Sequence, residues 1–97
     1  MSIQIYFINE TKKQVVSTKK LYGNFEDNQQ LLCYLSLCAG DTFRTELEGG
    51  QWIEEFLYEE KHKDFKHIKL YEFKIRLEED LYDSKEFDRL YNHVYSI

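Results

Sequence analysis

Two hydrophobic periods alternate along this chain, and their order limits it to one broad class of fold. Ile3, Ile5 and Phe7 alternate with Gln4, Tyr6 and Ile8, the period of two that marks a strand. Asn9-Glu-Thr-Lys-Lys13 supplies a polar turn, and a β-branched run from Val15-Val-Ser-Thr18 through Leu21-Tyr22 completes a hairpin. The period then changes. Leu31, Leu32, Leu35 and Cys38 recur at helical spacing after the cap candidate Asn24 and before Gly40, predicting a helix from about 25 to 39.

Asp41 to Glu48 alternates again, with Phe43, Thr45 and Leu47 set against Arg44, Glu46 and Glu48, and closes on Gly49-Gly50. Trp52, Ile53, Phe56 and Leu57 return to helical spacing over about 51 to 62, with Glu54, Glu55, Glu59 and Glu60 on an opposite, acidic side. From Tyr71 the pattern reads as the longest strand, with Tyr71, Phe73, Ile75 and Leu77 on one face and Glu72, Lys74 and Arg76 on the other. Ile68 and Leu70 have the opposite parity, which requires either a bulge or a strand that begins nearer Leu70 than Phe65. Asp83-Ser-Lys-Glu86 resembles a capping box, and Phe87, Leu90, Tyr91 and Val94 follow at i, i+3, i+4 and i+7, predicting a last helix.

The expected order is therefore β-β-α-β-α-β-α. It describes an α+β fold with a mainly antiparallel sheet of about four strands and three helices, placed on one face because each amphipathic element must bury its apolar side. At 97 residues the chain has room for one domain spanning 1–97. No apolar run approaches the ~20 residues that cross a bilayer. The opening Met-Ser-Ile-Gln-Ile-Tyr-Phe-Ile reads as a first strand and not as a signal peptide, so a cytoplasmic location is the default expectation.

The net charge of -5 argues against direct nucleic-acid binding, which needs a surplus of Lys and Arg. Cys33 and Cys38 on one helix would stand about 8 to 9 Å apart at Cα. That is beyond disulfide reach, so both are expected as buried thiols. His62 and His67 lack the spacing of zinc ligands, and with His93 they are expected to be partly exposed and to titrate near neutrality. Phosphate-binding, nucleophile-elbow and His-Glu-x-x-His patterns are absent from the sequence. No cofactor and no metal site is expected.

Two acidic clusters remain. Glu55 and Glu59 stand at i, i+4 on the second helix with Glu54 and Glu60 beside them, a row able to imitate a phosphate backbone. Glu78, Glu79, Asp80, Asp83, Glu86 and Asp88 gather at the start of the last helix, where acids also suit the helix dipole. Eight Tyr, seven Phe and one Trp exceed what so small a core can readily enclose, since each aromatic buries about 150–250 Å². Tyr6, Tyr22, Tyr58, Tyr82 and Tyr95 are the residues expected at the surface. Tyrosine among charges is the composition of interface hot spots.

These features point to a non-enzymatic protein-binding module, an acidic inhibitor or adaptor docking on the basic surface of a larger protein or nucleic-acid-acting complex. Small phage and mobile-element inhibitors and nuclease immunity proteins share this general character, by analogy of class only. The expected contact residues are Glu54, Glu55, Tyr58, Glu59, Glu78, Glu79, Asp80, Tyr82 and Asp83. A homodimer is the first alternative, with the opening hairpin as its suspect because both of its faces are apolar. A small ligand-binding domain or enzyme using histidines and carboxylates is the second.

Overall fold

A computed structural model describes residues 4–18, 29–73, 75, 77–78, 81–82 and 84–95. The elements are β1 (Ile5–Asn9), β2 (Gln14–Ser17), α1 (Gln29–Leu37), β3 (Phe43–Leu47), α2 (Gln51–Tyr58), β4 (Lys66–Lys69), a short β5 (Leu77–Glu78) and β6 (Leu81–Tyr82), and α3 (Ser84–Tyr95). The main sheet has the order β3-β1-β2-β4. β1 runs antiparallel to β2 and to β3, while β4 runs parallel to β2. This is the expected α+β arrangement of one four-stranded sheet and three helices. The ribbon β5-β6 is an addition that the hydrophobic pattern did not signal.

The helices do not share one face. Val16 and Ile68 pack with Cys33 and Tyr34 of α1, with Cys38 just beyond its end, and with Leu90 and Val94 of α3. Tyr6, Ile8 and Val15, which point the other way, pack with Ile53 of α2. Connectivity supplies the physical reason. The step from β2 to β3 moves one way across the sheet and the step from β3 to β4 moves back, each between parallel strands. Two crossovers of the same hand can do this only on opposite faces. The apolar residues on both faces of the hairpin are thereby covered, and β1 and β2 become the central strands.

The long strand expected over 71–77 is not formed. Among the described residues, β4 runs directly into a 3₁₀ turn over Leu70–Glu72, and Phe73 after it is extended. In a 3₁₀ turn side chains at i and i+3 eclipse. Leu70 and Phe73 therefore point together into the cluster that also holds Ile68 and Ile75, with Phe73 N–H donating to Leu70 O at 3.0 Å. The conflict of parity is thus absorbed by a turn, not by a bulge. α2 also ends at Tyr58, short of the expected 62, because Glu60 (φ 54°) and His62 (φ 58°) adopt left-handed backbone and reverse the chain. The expected start of α1 at 25 lies outside the described residues.

Buried polar groups tie the layers together. Tyr34, fully buried, donates to Gln14 Oε1 at 2.5 Å, and Gln14 Nε2 donates to Val94 O at 3.0 Å near the C-terminal end of α3. Asn9 Nδ2 reaches Tyr34 Oη at 3.3 Å and Asp41 Oδ2 at 2.9 Å, and Lys12 pairs with Asp41 at 2.5 Å. Lys66 caps His93 O at 2.9 Å, so two of the last carbonyls of α3, those of His93 and Val94, are satisfied from the sheet.

Candidate functional site

Among the described residues, the α2 face of the sheet carries a dense aromatic cluster. Trp52 stacks on His62 with ring centres 4.4 Å apart and on Phe56 at 5.8 Å, and meets Phe65 edge-on at 5.1 Å. The Arg44 guanidinium lies 4.7 Å from the indole centre while also bonding Glu10 at 2.7 Å. The chain reversal after α2 is what brings His62 back onto Trp52, and Phe65 N–H closes the turn on His62 O at 3.0 Å.

Beside this cluster lies a patch centred on Tyr6. The Tyr6 ring is buried against α2, a correction to its expected exposure that follows from α2 covering this side of the hairpin. Its hydroxyl pKa is pushed up first by burial and then by the nearby Glu48, Tyr58, Glu54 and Tyr71. The phenol accordingly stays protonated as a hydrogen-bond donor among acidic neighbours. Tyr58 is 74% exposed and Tyr71 41% exposed. Glu48 is exposed and is anchored by its backbone, which donates to Gln4 O at 2.9 Å. Glu54 and Tyr58 stand at i, i+4 and so share one side of α2.

Of the expected contact residues, Glu54 and Tyr58 belong to this patch. Glu55 and Glu59 form the adjoining row, and Lys61 lies between them at 3.7 and 3.9 Å. Glu55 is only 16% exposed at its side chain and also sits 3.6 Å from His62 Nε2. That row is partly neutralised within the chain, which weakens it as an imitation of phosphates. Glu78 and Tyr82 lie on β5 and β6 by their backbone, whereas Glu79, Asp80, Asp83 and Tyr22 lie outside the described residues. Glu86 pairs with Arg89 at 3.0 Å. Tyr95 is exposed as expected, and so is its neighbour Tyr91, with ring centres 4.8 Å apart.

Sequence reasoning missed Glu48, Tyr6 and Tyr71 as members of one patch. The parity of Tyr6 with Ile8 was the available signal, since it puts Tyr6 on the hairpin face opposite Phe7. Nothing in a linear pattern joins that face to Tyr71, which depends on the 3₁₀ turn.

Two cysteines and two histidines are built into the frame. Cys33 and Cys38 are buried free thiols, and burial raises the pKa of both. His67 Nε2 lies 3.0 Å from Ser17 Oγ, but Ser17 is 3% exposed, so the hydroxyl has no access to a substrate. Burial lowers the pKa of His67 and of His93, which moves both below the near-neutral titration expected of them. Among the described residues no group of three or more His, Cys, Asp or Glu side chains is placed to hold a metal ion. Comparison with protein-family models, with curated proteins and with solved structures gives no match to this chain.

Proposed function

We propose that this domain is a non-enzymatic protein-binding module whose docking face is the tyrosine and carboxylate patch around Tyr6. The reading rests on one observation: two exposed tyrosines and two carboxylates lie near enough to a third, buried tyrosine to add to the upward push that burial gives its pKa. A rigid aromatic floor with an acidic rim suits a partner surface rich in Lys and Arg, because tyrosine supplies contact area at low entropic cost and charge complementarity steers encounter. An acidic inhibitor or adaptor acting on a nucleic-acid-handling protein is the class of function this chemistry fits. Free buried thiols agree with a cytoplasmic setting. Among the described residues no helix is long and apolar enough to cross a membrane.

The test is capture of partners from extract of the source cells at low salt, followed by a salt step, with wild-type protein and the Glu48→Gln/Glu54→Gln variant in parallel. A stoichiometric partner released by salt from the wild type, and bound at least about tenfold more weakly by the variant, is the expected result, since tenfold corresponds to about 1.4 kcal/mol. Retention that neither salt nor the variant changes would reject the acidic face.

A further inference from the structure

The two edges of the main sheet differ in how they are protected. β4 is four residues long, carries Lys66 and Lys69, and is cut off by the 3₁₀ turn, features that discourage pairing with another strand. β3 is protected less: its two charges, Arg44 and Glu46, are of opposite sign, and among the described residues no 3₁₀ turn cuts it off. It is a regular five-residue strand without proline, its Thr45 is exposed, and Leu47 is 57% exposed.

The ladder fixes which backbone groups β3 turns outward. Glu48 N–H donates to Gln4 O and Glu10 N–H donates to Thr42 O, each at 2.9 Å. Even-numbered residues of β3 therefore turn their peptide groups toward β1, and Phe43, Thr45 and Leu47 turn theirs away from it. We propose that β3 pairs antiparallel with β3 of a second copy about a two-fold axis through Thr45, making a continuous eight-stranded sheet. This inference does not depend on the patch at Tyr6.

The sequence Phe43-Arg-Thr-Glu-Leu47 is complementary to itself in that register. Phe43 faces Leu47 of the second copy on the α1 side, and Arg44 faces Glu46 on the α2 side, with Thr45 opposite Thr45. The outward-turned residues fall opposite one another, as an antiparallel ladder requires, with Leu47 O, which accepts from Gly50 N–H at 2.9 Å within the chain, using its second lone pair across the interface. Sliding by two residues either way sets Arg44 against Arg44 or Glu46 against Glu46, and like charges directly opposite are destabilising. Within one chain Arg44 already bonds Glu46 at 2.5 Å, so the interface would carry an alternating ring of two arginines and two glutamates. α2 packs on Tyr6, Ile8 and Val15 of the inner strands and reaches β3 through Trp52 against Arg44, and among the described residues β3 has no strand partner on its outer side.

Sedimentation velocity over a concentration series tests the pairing. Wild-type protein is expected as a dimer that dissociates on dilution. Thr45→Pro removes an outward N–H that bonds nothing among the described residues, so it is expected to be monomeric with an unchanged circular dichroism spectrum. Thr45→Cys provides a check that needs no loss of structure, because hydrogen-bonded antiparallel partners stand about 5.5 Å apart at Cα, within disulfide range. It should form a covalent dimer on mild oxidation that reductant reverses. A wild type that stays monomeric at high concentration overturns the proposal. So does a dimer that persists in Thr45→Pro, or one that Thr45→Cys does not lock.

Discussion

At the scale of single residues, Tyr34 joins three elements through one hydroxyl. It donates to Gln14 and accepts from Asn9, and Gln14 reaches on to α3. Tyr34→Phe keeps the ring and leaves Gln14 Oε1 buried without its donor. We expect a loss of about 1–3 kcal/mol in urea unfolding, the usual cost of an orphaned buried polar group. Protonation acts on the same scale. His67 and His93 have lowered pKa values, chiefly through burial, so the unfolded chain takes up protons more readily than the native one. Their contribution is complete above the unfolded value of about 6.5 and is lost as pH falls through the folded values. Asp41 behaves likewise at lower pH: the hydrogen bond from Lys12 depresses its pKa, and its contribution is lost as the carboxylate is protonated below about 4. Urea midpoints should fall from pH 7.5 to 5.5, and His67→Gln should flatten that first decline. A midpoint constant over this interval would show that burial of the two imidazoles carries no such penalty.

At the scale of elements, the three helices and the first three strands were legible because each keeps one hydrophobic period with recognisable punctuation. Gly40 (φ 90°) follows α1, and Gly49 (φ 89°) joins β3 to α2, both in backbone that only glycine adopts without strain. Gly49→Ala meets no atom within 4 Å, so its cost of about 1–2 kcal/mol comes from the left-handed backbone alone. Gly49→Asn should recover part of it in the same thermal unfolding assay. The segment from Ile68 to Ile75 was not legible as a structure. Its period-two residues looked like a strand, while a 3₁₀ turn shifts the phase so that Ile68, Leu70, Phe73 and Ile75 all face the same core. A phase shift of that kind is decided by tertiary packing, which outweighs local strand preference.

At the scale of the whole molecule, the decisive fact is that the sheet is covered on both sides. The apolar character of both hairpin faces announced the need, but assigning helices to faces requires strand order, and a linear pattern does not contain it. The candidate site shows the same division. Glu54 and Tyr58 could be named from the stripe of α2, whereas Glu48, Tyr6 and Tyr71 join them only through the crossover and the turn. Burial of Tyr6 leaves its hydroxyl beside exposed partners, and substitution at Tyr58 and Tyr71 should cost binding while sparing the core. The most direct measurement is therefore capture from source-cell extract by three immobilised forms side by side: wild type, Tyr58→Ala/Tyr71→Ala, and Thr45→Pro. The account predicts one salt-released partner retained equally by wild type and Thr45→Pro, and reduced about tenfold or more with Tyr58→Ala/Tyr71→Ala, as truncated hot-spot tyrosines behave. Equal retention by Tyr58→Ala/Tyr71→Ala would contradict it and move the docking face away from Tyr6.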